Sequence, residues 1–516
     1  MKPFTFLFFS AATLLCYASA FKVVLLPTPF VSHMNYFEPL ALELHQSGHE
    51  TYLVLSDSFR ARQRLTDKGL NILTYDSKGT CEIDTDDFFK RVTIGMIDNG
   101  GDPGVLGKLV APAIESECSK FLLDIELLEK GKKIGFDLAV VDGLFFARCL
   151  YIWPKELNIP YITLTTLQDF WRARVPAPPS FVPFHYSSFG ERMTYLERFA
   201  NVFMSVFFAL STTSPPLSQV IRDRYKDSSA DFESLATKSK LWMFNTDFSI
   251  DYAKPSLPNI IHVGGMSLNS TKPLPELFAK FVAKSNRIVV VTFGSVISQL
   301  PNYIVEKMID AFRQSPFQFV WRLPKAKEFS IPDNVLAVDW IPQNDLLGHE
   351  KTVAFVTHSG NNGQFEALYH AVPMVALPIF ADQIYNSLRM EAKNYGVRLS
   401  MHKFTSQQLK EALEKVADNK EIKANLVKGS MILRDRPLNA RKRAVYWIEH
   451  VIKYGDRHLR SYGIDMPWYQ YLLLDVAVGY ALLFGFLIYL IKRAFVYVSA
   501  NAQNWIGTSK NKKKTH

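Results

Sequence analysis

Between Trp340 and Gln383 the sequence sets polar residues where predicted strands give way to helices. They are Trp340-Ile341-Pro342-Gln343, then Thr357-His358-Ser359-Gly360-Asn361-Asn362-Gly363, Glu366 and, beyond Pro373 and Pro378, Asp382-Gln383. In an open parallel sheet such positions line the ligand crevice. Trp340 offers an aromatic face for a flat base, and Glu366 can accept hydrogen bonds from two ribose hydroxyls. His358, with the free N–H groups that open the next helix, can hold a pyrophosphate. Asp382 and Gln383 supply the mix of acceptor and donor that sugar hydroxyls need. Upstream, Gly294-Ser295 ends an apolar strand, and a glycine there lets backbone approach a phosphate. Together these types suit a sugar nucleotide. Singly, a Trp at a strand end is usually packing and a lone His usually structural; the argument rests on the set.

A second group lies far upstream. Ser32-His33 follows the first predicted strand, and Asp142 ends the one at 136–141. Both stand at carboxyl ends of strands of one sheet, so their side chains can converge. Histidine accepts a proton at neutral pH. A carboxylate on its far nitrogen would fix the tautomer and steady the imidazolium. The plainer readings are a turn histidine and a helix N-cap.

The elements that must position these groups alternate β-rich runs with amphipathic ones, the pattern of α/β domains with parallel sheets. Strands are predicted at 21–27, 51–55, 136–141 and 161–165, with a helix at 36–46. A second series has strands at 288–292, 317–322, 336–339, 353–357 and 374–377, and helices at 304–313, 362–371 and 383–396. Residues 255–275 hold four prolines, Gly264-Gly265 and the Asn269-Ser270-Thr271 sequon, and read as a linker. Two α/β domains in tandem leave a cleft between the carboxyl ends of their strands. Residues 199–210 are apolar and aromatic but too short to span a bilayer. They predict an amphipathic or buried helix, a candidate lid beside an apolar site.

The ends carry addresses. Lys2, the apolar run 4–17 and Ala18-Ser19-Ala20 form a secretory signal; an uncleaved anchor is the alternative. Residues 471–491 are almost wholly apolar, about 31 Å as a helix, which matches a bilayer core. Lys492-Arg493 follow, giving a lumenal body, one span and a cytosolic tail. Lys513-Lys514 stand fourth and third from the end, as in a dilysine retrieval signal; a lipid-touching basic stretch is the alternative. The net charge of +10 owes part of its excess to this tail, and no nucleic-acid motif accompanies it. After signal removal Cys81, Cys118 and Cys149 remain, an odd number without a Cys-x-x-Cys pair, which predicts neither a disulfide framework nor a zinc site.

In the order and spacing of its Trp, Gln, His, Asn, Glu and Asp-Gln, the 340–383 segment resembles the signature box of the UDP-dependent glycosyltransferases. The resemblance covers the whole chain, and signal, linker, box, span and dilysine end look like the animal UDP-glucuronosyltransferase branch. Ser359 departs from it, since many members have glycine there, and so does Gly143-Leu144-Phe145-Phe146. The resemblance implies two Rossmann-like domains facing a cleft, the GT-B arrangement. The expected organisation is signal 1–20, acceptor domain 21–255, linker 256–284, UDP-sugar domain 285–450, juxtamembrane segment 451–470, span 471–491 and tail 492–516. It implies His33 as general base and Asp142 as its orienter. The donor site would be Gly294, Ser295, Trp340, Gln343, His358, Ser359, Gly360, Asn362, Gly363, Glu366, Asp382 and Gln383. The co-substrates would be a UDP-sugar and a small lipophilic acceptor. No Asp-x-Asp sits near the box, so no metal and no other cofactor is expected. Asn269 would be the glycosylation acceptor, and homo- or hetero-oligomeric assembly stays open. Glucuronate is the expected sugar and glucose the alternative, with Arg172, Arg174 and Lys254 as candidate cations for the glucuronate carboxylate. A UDP-sugar-binding subunit without catalysis is the reading from another class.

Overall fold

The computed structural model describes residues 20–512, apart from 80–82, 84, 145–148, 167, 186, 211–216, 227–231, 296 and 298. The signal segment up to residue 19, Cys81, Phe145, Phe146 and the Lys513-Lys514 pair therefore lie outside the described residues. Residues up to Arg460 form one compact unit and those from Ser461 a second.

The first unit holds two parallel sheets. One contains β1 (Lys22–Leu26), β2 (Glu50–Ser56), β3 (Asn71–Tyr75), β4 (Leu138–Asp142), β5 (Tyr161–Thr165), β6 (Trp242–Phe244) and β7 (Ile260–His262), in the order β3-β2-β1-β4-β5-β6-β7. The other contains β8 (Ile288–Thr292), β9 (Gln318–Arg322), β10 (Val335–Val338), β11 (Thr352–Thr357), β12 (Met374–Ala376) and β13 (Gly396–Arg398), in the order β10-β9-β8-β11-β12-β13. Each is wound outward in both directions from a central pair, β1 with β4 and β8 with β11. At those pairs the connections leave to opposite sides and open a crevice at the strand ends.

The sequence of β1 shows why the sheets are covered on both faces. Val23 and Leu25 enter one apolar core while Val24 and Leu26 enter the other, and all four are buried. A continuous run of branched residues is what such a strand requires. The core under Val23 is closed by helix Val31–Gln46 and by helix Ala440–Tyr454. The latter brings Ala444, Val445 and Ile448 back from the far end of the unit onto the first sheet. The strands missed in sequence are β3, of five residues, and the short β6, β7 and β13. β6 and β7 have three residues each, and β7 falls within the proline-rich stretch expected as linker.

Two expectations need correction. Cys118 and Cys149 form a disulfide, joining helix Pro103–Leu123 to the segment after β4 across a Cα separation of 6.0 Å. Parity argued against a complete set of pairs but does not forbid one, and the fold brings these two together. The helix expected at 199–210 spans Tyr195–Leu210 and is not buried. None of its described side chains lines the central cleft.

In the second unit the apolar helix begins at Leu474 and continues past Lys492 and Arg493 to Lys512. Lysine and arginine are good helix formers, so they end the apolar stretch without ending the helix. Residues Leu474–Ala502 are long and apolar enough to cross a bilayer.

Candidate functional site

The two crevices face one cleft of about 650 Å³, lined from both sheets. On the first-sheet side, His33 stands in the first turn of helix Val31–Gln46, five residues earlier than the sequence suggested a helix. Its Nδ1 lies 2.5 Å from Oδ2 of Asp142, the last residue of β4. Asp142 is fully buried and accepts N–H bonds from Thr28 at 2.9 Å and Leu144 at 3.3 Å. Those donors hold the carboxylate in place, aimed at the imidazole. With Nδ1 engaged, Nε2 is the nitrogen left to meet a substrate. The hydroxyl of Tyr36 adds a contact to Nδ1 at 2.6 Å and reaches Asp142 Oδ1 at 3.5 Å. Burial, and then the charge of Asp142, hold this phenol above its usual range, so it stays a donor.

The second sheet contributes the polar box. The turn after β8 puts Gly294 at a positive φ of 76°, and a β-carbon there would lie 2.6 Å from Cε1 of His358. Gly360 is packed onto the same ring, where a β-carbon would lie 2.7 Å from Cε1. Glycine is thus required at both places for His358 to fit. Burial, and then the charge of Arg322, push His358 down to about 3, and its buried Nδ1 has no partner. His358 is therefore neutral at pH 7 in the open cleft and would act as a hydrogen-bonding group. The cation facing this corner is Arg322, at the end of β9, which sequence reasoning missed. It donates to the carbonyls of Gly294 and Asp339, and its guanidinium lies 5.5 Å from the Trp340 ring centroid. A lone Arg at a strand's carboxyl end was its only signal.

Helix Asn361–Tyr369 starts after Gly360 with no side-chain cap, so its first N–H groups are open to an anion. Ser359 adopts φ 66°, a left-handed conformation that glycine takes more readily than serine. Glu366 is held by Gln343 Nε2 at 2.5 Å, and burial raises its carboxyl to about 7 despite that bond. Trp340 is 68% exposed, its ring presented to the cleft. Asp382 accepts from Asn386 Nδ2 at 2.7 Å, and burial raises its pKa. Gln383 spends its oxygen on the N–H groups of Ile379 and Phe380, leaving its NH₂ as a donor. Asn362 reaches across to the Ser32 carbonyl at 3.5 Å, beside His33. Ser295 and Gly363 line the cleft as well, so every donor-site residue expected from sequence lies on this wall except Ser359, which is buried beneath it.

The candidate cations behave differently. Lys254 is buried, paired with Asp251 at 2.9 Å and bonded to Tyr385 at 2.8 Å. Arg172 is paired with Asp169 at 2.9 Å, and Arg174 lies against Trp171. None of the three lines the cleft. Asn269 does, at its rim, with its side chain taken by Arg441 at 2.8 Å.

The family model described as UDP-glucoronosyl and UDP-glucosyl transferase matches residues 21–514. UDP-glucuronosyltransferase 1A7 of Mus musculus is 32% identical over 87% of this chain and 86% of its own. UDP-glucuronosyltransferase 1A9 of Homo sapiens is 35% identical over 71% of this chain and 70% of its own. The 2-hydroxyacylsphingosine 1-beta-galactosyltransferase of Mus musculus is 32% identical over 96% and 92%. Among solved structures, the spinosyn forosaminyltransferase SpnP superposes with a TM-score of 0.60 at 16% identity, over 84% of this chain and all of that one. The calicheamicin glycosyltransferase CalG4 gives 0.58 at 17%, over 84% and 99%. At that identity these two speak to the fold, a GT-B pair of Rossmann-type domains. With the family model running the length of the described body and span, the chain belongs to the UDP-glucuronosyl and UDP-glucosyl transferase family, is an enzyme of it, and stands among its animal UDP-glucuronosyltransferases.

Proposed function

We propose that the enzyme conjugates glucuronate from UDP-glucuronate to a hydroxyl of small lipophilic acceptors, with His33 as general base. The observation that carries this reading is the 2.5 Å approach of Asp142 to His33 on the wall of the cleft that also holds the sugar-nucleotide box. Nε2 takes the acceptor proton, and the oxygen attacks the anomeric carbon on the face opposite UDP, through an oxocarbenium-like transition state. The α-linked donor thus yields a β-linked product. UDP leaves toward Arg322, His358 and the N-terminus of helix Asn361–Tyr369, which supply positive potential and hydrogen bonds. With that charge in place, turnover is expected to persist in EDTA. On the first-sheet side the cleft is lined by Phe30, Phe88, Phe89, Val92, Leu106 and Val110, which favours an apolar acceptor.

A neutral hexose is the second reading. It is favoured by the engagement of Lys254 and Arg172 in ion pairs away from the cleft, and by the galactosyltransferase among the relatives. Competition between equal UDP-glucuronate and UDP-glucose, read by mass spectrometry over pooled phenols and steroids, decides between them. A mainly glucosylated product sinks glucuronate and leaves the mechanism untouched. Failure to release UDP from any donor and acceptor would leave a binding subunit.

The body is proposed to be lumenal in the endoplasmic reticulum, with the tail cytosolic. The Cys118–Cys149 disulfide supports an oxidising compartment. Replacing Lys513 and Lys514 by Ser is expected to release the protein from the reticulum, and unchanged localisation would refute the retrieval role. Asn269 is the proposed glycosylation site, read as a mobility shift on glycosidase treatment.

A further inference from the structure

Asp251 lies in the turns after β6 and is fully buried. Most of its socket comes from the domain of the first sheet. Oδ2 accepts from Gln168 at 2.6 Å, Thr246 at 2.8 Å and Lys254 at 2.9 Å, and Oδ1 from the N–H of Tyr252 at 2.8 Å. Gln168 and Thr246 follow β5 and β6, and β5 pairs with β4, whose last residue is Asp142. The socket thus belongs to the frame that holds His33. A residue of the second sheet's domain closes it. The Tyr385 hydroxyl donates to Asp251 Oδ1 at 2.7 Å and accepts from Lys254 Nζ at 2.8 Å. Burial, and then the charge of Asp251, hold this phenol well above its usual range, so it stays a donor. His185 stacks on its ring with centroids 4.3 Å apart, and Tyr252 meets it at a right angle. A buried ion pair contributes little net stability, because desolvation offsets the attraction. A fully bonded one does fix geometry.

Tyr385 stands in the first turn of helix Gln383–Ala392, beside Asp382 and Gln383, which line the cleft. Arg389, one turn further along the same face, lies 3.9 Å from Asp251 Oδ2 and donates to Asn361 Oδ1 at 2.6 Å and Gln364 Oε1 at 3.1 Å. We propose that Tyr385 is a positioning residue for the transfer step: clasped between Asp251 and Lys254, it fixes the turn that carries Asp382 and Gln383 at working distance from His33. The inference rests on His33 as the base and on Asp382 and Gln383 as sugar contacts. Tyr385 itself is buried and lines no part of the cleft, so it touches neither substrate. Trp340, His358 and Glu366, the nucleotide side of the wall, stand on other elements of the second sheet's domain. Loss of the clasp should therefore spare UDP and disturb the alignment of sugar and base, where a shift of about 1 Å costs up to about 100-fold.

The test is Tyr385→Phe in the full chain in detergent, which keeps the ring and removes the hydroxyl. Its kcat is expected to fall about tenfold or more, while the dissociation constant of UDP, read by titration, stays within about twofold of wild type. On a His33→Ala background the same substitution should cost little more, since no base is left to align. Asp247→Asn is the control. It breaks a different pair between the two domains, with Arg436 at 2.7 Å, and neither partner lines the cleft. Its kcat should stay near wild type. A lower melting temperature in Tyr385→Phe with kcat unchanged would make the tyrosine a packing residue and overturn the proposal. So would an equal fall in kcat for Asp247→Asn, or full additivity with His33→Ala. Near-normal turnover in His33→Ala itself removes the base reading and the proposal with it. An inactive His33→Ala beside a normal Tyr385→Phe removes the proposal alone.

Discussion

Asp142 reaches His33 across the point where the first sheet changes direction. The two residues are 109 apart in sequence, yet Oδ2 and Nδ1 are 2.5 Å apart because β1 and β4 are hydrogen-bonded neighbours with Leu26 level with Val141. The helix after β1 and the turn after β4 leave on opposite sides, and the pair occupies the gap. His33→Ala is expected to cut turnover about 10²–10⁴-fold, the worth of a positioned general base. Asp142→Asn should fall in the same direction. Tyr36→Phe should cost less, about 3–10-fold, since it removes one hydrogen bond and leaves the pair intact. Donor binding, measured by UDP titration, should survive in all three. Near-normal turnover in either of the first two would remove the base assignment.

Glu366 predicts a pH dependence of donor binding. Its folded pKa is raised to about 7, chiefly by burial. The ionised form is the one that accepts two ribose hydroxyls, so it must be populated before the nucleotide binds well. Donor KM should therefore be flat above pH 7 and rise about tenfold per unit as pH falls further below it. Glu366→Gln should give a weaker but pH-independent donor KM over pH 5.5–8. A wild-type profile that is flat through pH 6 would show that Glu366 does not contact the donor.

Arg322 and Trp340 predict a division between substrates. Arg322→Ala removes the cation of the phosphate corner and should raise donor KM by one to two powers of ten, about 1.5–3 kcal/mol for a charge-assisted bond. Trp340→Ala loses the stacking face and should act in the same direction, less strongly. Acceptor KM should move little in either variant. Equal weakening of both substrates in initial-rate kinetics would count against a donor site here.

Ser359 predicts a stabilising substitution. It adopts φ 66° and its hydroxyl is buried without a partner. Ser359→Gly relieves about 1–2 kcal/mol of backbone strain and one unsatisfied polar group. Against this stands the extra freedom of glycine in the unfolded chain, about 0.5–1 kcal/mol. The net should be about 1 kcal/mol of added stability with turnover retained, read as an upward shift in thermal denaturation. A lower melting temperature would mean that Ser359 makes a contact worth more than its strain.

Much of the donor wall was legible in the sequence because it is local. From Trp340 to Gln383 each polar cluster follows directly on its own strand, so strand ends read from hydrophobic runs place the clusters on one edge of one sheet. The first-domain pair was legible for a related reason, since both residues end strands of a common sheet. Strand order is what made them neighbours, and no local pattern encodes it. The same limit hid Arg322 and Tyr36, which are ordinary residue types until another strand or a neighbouring ring is set beside them. It hid the Cys118–Cys149 pairing, because parity counts cysteines but does not measure distances. Lys254 was a candidate cation by charge alone; the packed body takes it out of contention by burying it against Asp251 and Tyr385. Helix Tyr195–Leu210 draws the line most clearly. Periodicity established an apolar face, but which face turns inward depends on what the rest of the chain offers to cover it, and here the carbonyls of Pro179 and Val182 claim Asn201 and leave Phe199, Phe203 and Phe207 outside.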